Sequence, residues 1–84
     1  MTPIFHAAHF NLKVKREAVK VLFPNAKVTL MAVGPFTDSE GEAVFGFCEV
    51  TEVRRHTFTF EADGALWTAR LDAVIKGFNI VVQE

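Results

Sequence analysis

Apolar and polar residues alternate most cleanly between Thr57 and Leu71, TFTFEADGALWTARL. Asp63-Gly64 sits at the middle of that run, and an Asp-Gly pair flanked by alternating apolar positions is the strongest short-range hairpin signal. A two-residue turn there pairs Ala62 with Ala65, Glu61 with Leu66, Phe60 with Trp67, Thr59 with Thr68 and Phe58 with Ala69. Side chains alternate across a strand, so Phe58, Phe60, Ala62, Ala65, Trp67, Ala69 and Leu71 share one face. Thr57, Thr59, Glu61, Leu66, Thr68 and Arg70 share the other.

The pattern changes to a helical period between Asn11 and Phe23, with Asn11 as a preferred N-cap and Pro24 closing the far end. At 100° per residue, Lys13, Arg16, Glu17 and Lys20 fall in one polar arc. Leu12, Val14, Ala18, Val19, Val21, Leu22 and Phe23 fill the opposite side, with Lys15 the one intruder. The β-branched valines lower intrinsic helicity, so this helix depends on docking.

Around these two elements the alternation predicts further strands. Pro3 favours an extended start, and Ile4-Phe5 with Phe10 forms a short edge strand or a staple. Lys27–Val33 reads as a strand ended by Gly34-Pro35, and Phe36–Glu42 as a polar loop around an aromatic. Ala43–Arg55 reads as one long strand, apolar on both faces in its first half, with Gly46 marking a bulge or a close backbone approach. Phe78–Gln83 is the last strand. The fold expected is α+β: one N-terminal amphipathic helix packed on a curled, mostly antiparallel sheet of four to five strands. Residues 1–84 form a single small globular domain in this reading.

One helix covers one sheet face, yet residues 28–33, 43–50 and 78–82 carry apolar side chains of both parities. Either the sheet curls into a half-barrel, or its second face meets another chain. Phe45 and Phe47, two apart on the long strand, then point the same way and form an aromatic strip opposite Val44, Cys48 and Val50.

Composition sharpens this picture at a few points. Half of the 84 residues are apolar, a high fraction for a domain so small that much of it must be surface. Nine Phe and no Tyr favour filled cores over wet recognition surfaces. The net charge of −1 gives no bulk attraction to nucleic acid or to an anionic membrane. Its distribution is lopsided. Residues 1–27 carry Lys13, Lys15, Arg16, Lys20 and Lys27 against Glu17 alone, a balance of +4, whereas residues 28–84 balance at −5. With no signal-peptide pattern and no apolar run of membrane-spanning length, the expected location is cytoplasmic.

Candidate chemistry is thin. Cys48 with His56 as base would be a nucleophile pair, but Cys48 lies mid-strand, where a buried structural thiol is the ordinary outcome. His6 and His9 have a helical metal-site spacing without further ligands near them in sequence, and Asp38, Glu40 and Glu42 alternate without the EF-hand spacing. No phosphate-cradling glycine loop, CxxC, HExxH or GxSxG is present, so no cofactor, metal or catalytic residue is assigned.

The leading expectation is therefore a non-enzymatic protein-interaction module, an inhibitor, adaptor or assembly component. It binds a larger protein or another copy of itself through an apolar sheet face or edge, with Phe36, Phe45 and Phe47 as contact residues. The alternative is nucleic-acid binding through the basic helix face, using Lys13, Arg16, Lys20 and Lys27. A small oligomeric enzyme without a recognisable motif is a second alternative.

Overall fold

Asp63 and Gly64 both adopt positive φ, 52° and 75°, which is the backbone a two-residue primed turn requires. A computed structural model of the chain, describing residues 2–84, places this hairpin at one end of a six-stranded sheet. The strands are β1 (Ile4–Ala7), β2 (Lys27–Val33), β5 (Phe47–Val53), β6 (Thr57–Ala62), β7 (Ala65–Arg70) and β8 (Phe78–Gln83). They run in the order β1-β8-β2-β5-β6-β7, every neighbouring pair antiparallel. A separate ribbon joins β3 (Phe36–Thr37) to β4 (Ala43–Val44), and the one α-helix among the described residues is α1 (Leu12–Leu22), with a single 3-10 turn at Leu71–Ala73.

The α+β class and the antiparallel sheet hold, while the strand count and the curling do not: the sheet has six strands and is open. The sixth comes from the N-terminus, where Ile4–Ala7 pairs with β8 as an edge strand. The expected long strand 43–55 is broken because Gly46 sits at φ 80°. Residues 43–44 leave the main sheet for the ribbon, and the break lets Gly34 donate to the Gly46 carbonyl at 2.7 Å. The polar loop 36–42 contains the other ribbon strand. Its turn is held by the Asp38 carboxylate, which accepts from the Glu40 and Glu42 amides at 2.9 Å each.

Register fixes the two faces. Ala32, Phe78 and Cys48 align across β2, β8 and β5, as do Leu30, Ile80 and Val50, and Val50 continues to Phe60 on β6. All of these are buried. Helix α1 contributes Leu12 and Val19 to the same core and contacts β1 and β8. At the far end the ribbon does the covering. Phe36 inserts beneath it, 5.7 Å from the Phe58 ring and 5.2 Å from Phe60.

The helix departs from its expected orientation. Its predicted apolar arc spans far more than the stripe of roughly 100° that a single sheet face covers. The structure divides that arc. Leu12, Val19 and the half-buried Phe23 face inward together with Arg16, whose Nε is buried without a hydrogen-bond partner among the described residues. Val14, Val21 and Leu22 stay in solvent at 72%, 78% and 66% exposure. Asn11 precedes the helix, but its side chain accepts from the Ala8 amide at 2.9 Å instead of capping α1.

Candidate interaction surface

Among the described residues, no helix or strand covers the face of the sheet opposite α1. Reading across the register, His6, Asn79, Met31, Glu49, Glu61 and Leu66 form one row, and Ile4, Val81 and Thr29 form another. Val33 and Phe47 pair beside them. Phe47 and Leu66 are each 65% exposed and Ile4 is 60% exposed. Leaving large apolar side chains in water forgoes roughly 1.5–3 kcal/mol for each one that burial would gain. Glu49 and Glu61 stand directly opposite one another on adjacent strands, an arrangement in which like charges repel.

At the Asp63 end of β5 and β6, beside the ribbon, lies a cleft of about 580 Å³ lined by residues of both sheet faces. Phe45, Phe47 and Trp67 supply its aromatic walls, and Glu42, Glu61 and Asp63 its acidic rim. No Lys, Arg or His lines it. Trp67 is anchored by donating its indole N–H to the Ala62 carbonyl at 3.1 Å.

Of the aromatic residues expected at an interface, Phe47 is on the open face and Phe45, 75% exposed, is on the cleft wall. They are not neighbours on one strand, because Gly46 separates the ribbon from β5. Phe36 is 4% exposed and belongs to the core, so it offers a partner no surface in this fold. A loop aromatic between polar neighbours looked like an exposed tip; it is an anchor that fastens the ribbon to the sheet. Leu66, which the sequence placed on the hairpin's polar face, is an exposed apolar residue of the open face that the sequence reading did not name. Its signal was present: it is the one apolar side chain in that otherwise polar set.

Of the basic residues, Lys13 and Lys20 are exposed on α1, Lys27 is exposed on β2 on the open face with Thr29 and Met31, and Arg16 is half-buried on the inward side of α1. Lys15 reaches back from the helix and donates to the His6 carbonyl at 2.9 Å, blunting the β1 edge. The β7 edge is partly occupied as well, since the Thr68 carbonyl accepts from the Ser39 amide at 2.8 Å.

The structure does not bring the candidate nucleophile Cys48 and the candidate base His56 together. Cys48 is the second residue of β5 and His56 lies beyond its other end, a separation on the order of 15 Å or more at the rise of a strand. His6 donates from Nε2 to the Lys76 carbonyl at 2.6 Å. Among the described residues no three metal-ligating side chains come together. Burial pushes the Cys48 thiol above its ordinary pKa, and the charge of Asp63 pushes it further in the same direction. Because the thiolate is the reactive form, Cys48 should be labelled by a thiol reagent far more slowly in the folded chain than in urea. Its rate should still be climbing at pH values where an unfolded-chain thiol has levelled off. Equal rates in the two states would mean that Cys48 is open to solvent.

Comparison with protein-family models, with curated proteins and with solved structures yields no match. No helix of the described chain is long and apolar enough to cross a membrane.

Proposed function

We propose that this chain is a non-enzymatic protein-interaction module that binds through the uncovered face of its sheet, as an inhibitor, adaptor or assembly component. The observation that carries this reading is the open face itself. β1, β5 and β7 present Ile4, Phe47 and Leu66 to solvent on the side away from α1, at 60–65% exposure. Large apolar residues left exposed across one sheet face favour a protein contact there. A partner that covered them would give this sheet the second layer that sheets with apolar residues on both faces have. The partner is another protein or a further copy of this chain.

The reading is tested by replacing Phe47 and Leu66 together with Thr, which keeps strand propensity. Both sites are largely in water, so the melting temperature should move by only a few degrees, as for other surface changes. Association, followed by sedimentation over a concentration series, should be lost. A double variant that associates as the wild type does would remove the open face from the interface.

A further inference from the structure

The cleft at the Asp63 end has a lining that selects its ligand. Its walls are the rings of Phe45, Phe47 and Trp67, and its rim is Glu42, Glu61 and Asp63. Rings and carboxylates share one ligand chemistry, since both attract an organic cation, the rings through their quadrupole and the carboxylates through charge. A small metal ion gives up its water reluctantly, and among the described residues no three metal-ligating side chains come together. Trp67 is half-buried, and the bond from its indole N–H to the Ala62 carbonyl holds the ring in place. Phe45 and Phe47 are largely exposed, so ring surface at the cleft lies in water.

The charge around the cleft has one sign. From Gly34 to Val53, and again from Thr57 to Ala69, every charged residue is an acid and neither stretch holds a His. These stretches are the ribbon, β5, β6 and most of β7. The bases that share the sheet with them stand at the other end of the strands. Arg54 follows the end of β5, Arg70 pairs with Thr57 at the start of β6, and Lys27 opens β2. The length of β6 sets Thr57 about 16 Å from Ala62, two screening lengths of about 8 Å at physiological salt. Arg54 and Arg70 are moreover paired with Glu52 and Asp72, and neither ion pair found among the described residues uses Glu42, Glu61 or Asp63. The field of the rim reaches the wall: at Cys48, which lines the cleft, burial raises the thiol pKa and the Asp63 charge raises it further.

Phe47 and Glu61 belong to the open face as well as to the cleft, so a protein laid on that face passes over the cleft. Of the cationic side chains such a protein offers, arginine fits better than lysine. Its guanidinium is planar and weakly hydrated, stacks on rings and forks onto a carboxylate, whereas the lysine ammonium is a strongly hydrated point charge. The cleft volume of about 580 Å³ falls within the range of roughly 300–1,000 Å³ that ligand pockets have. That is room for one such side chain and the backbone that carries it.

We propose that the cleft receives an arginine side chain from the protein that covers the open face, against the rings of Phe45, Phe47 and Trp67 and beside the carboxylates of Glu42, Glu61 and Asp63. The assignment rests on the open face being an interface, and it names the chemistry that the partner brings there.

Trp67 is the one tryptophan of the chain, so its indole N–H gives a single nuclear magnetic resonance signal from the cleft. The probe is a Gly-Arg-Gly tripeptide blocked at both ends and titrated at low salt. It should shift that signal saturably, with a dissociation constant of roughly millimolar order for so small a ligand, and bind more weakly as salt is raised. The citrulline peptide, which keeps the shape and lacks the charge, should give no saturable shift, and the lysine peptide should bind less tightly. Glu61→Gln with Asp63→Asn should weaken arginine binding by about tenfold, because two charge-assisted contacts are lost. Both positions are exposed, and Asn suits the positive φ of residue 63. Phe45→Ala should weaken it by about threefold. Leu66→Thr, on the open face but outside the cleft, should bind the peptide as the wild type does. The proposal is overturned by the absence of a saturable arginine shift, by an equal shift from citrulline, or by unchanged affinity in either cleft variant. Lysine binding as tightly as arginine overturns it too, as does loss of binding in Leu66→Thr. So does ethylguanidinium binding as tightly as the tripeptide, which would make the cleft a site for small free cations. Each of these outcomes leaves the open-face reading standing, because the sedimentation of the Phe47 and Leu66 double variant involves no arginine probe.

Discussion

Phe58→Ala is expected to leave the protein largely unfolded at body temperature. Phe58 is fully buried and is the hub of the aromatic core, with ring centroids 5.7 Å from Phe36, 5.8 Å from Phe60 and 5.4 Å from Phe78. Those three rings come from the ribbon, from its own strand and from β8, so the cavity would open where three elements meet. Truncating a buried Phe to Ala costs roughly 3–5 kcal/mol. A domain this small sits toward the low end of the usual total of about 5–15 kcal/mol. The melting temperature should fall by on the order of 15–30 °C. The ribbon should be affected first, since Phe36 fastens it and loses a ring it packs on. Urea denaturation followed by near-ultraviolet circular dichroism measures the loss, with Phe47→Ala as the control for an exposed ring. A midpoint shift no larger than that of the control would place Phe58 outside the core.

Much of this core was legible in the sequence because strand alternation is a local property. The pairing of Phe60 with Trp67 and of Phe58 with Ala69 follows from one Asp-Gly turn, and the structure has that register. Lys27–Val33 and Phe78–Gln83 likewise begin and end where their apolar patterns do. The ranking of the aromatics inside that face was not legible. Trp67 lies on the edge strand β7 and is only half-buried, whereas Phe58 on β6 is sealed by the ribbon and by β8. Edge or centre depends on strand order, which no local pattern contains.

The candidate surface was visible to the same extent. Apolar residues of both parities announced a second face in need of cover, and Phe47 is on it. Phe36 was misplaced because a polar neighbourhood in sequence, FTDSEGE, became a ribbon folded back onto the core. The helix was misjudged for a different reason. Counting apolar residues over a half-turn gives a wide arc, and only docking decides which part of it is buried. Val14 and Val21 lie about 160° from Leu12 and Val19 at 100° per residue. A single flat sheet face cannot reach both pairs.

Gly77→Ala is the second substitution expected to have a large effect, and here the backbone carries it. Gly77 precedes β8, the strand held between β1 and β2, and it is buried at φ 92°. A methyl group there would meet the Ala7 carbonyl oxygen at 2.6 Å and the His6 ring at 2.7 Å. The His6 ring is itself tied down, since it donates to the Lys76 carbonyl next to Gly77. The Ala7 oxygen belongs to β1, so relief requires β1 to move off β8 or the chain to leave its positive φ. The first breaks the pairing of Ala7 with Phe78, and the second disturbs the bond from the Val33 amide to the Gly77 carbonyl at 3.1 Å. Positive φ at a non-glycine residue costs about 1–2 kcal/mol, and overpacking against fixed atoms adds about 1–3 kcal/mol. Gly64→Ala separates the two contributions: Gly64 has φ 75° but no atom within 4 Å of the added carbon, so only the backbone cost remains. Chemical denaturation of both variants should show Gly77→Ala destabilised by the larger amount, and hydrogen exchange should show early loss of protection in β1. Equal destabilisation of the two variants would mean that β1 does not rest on Gly77.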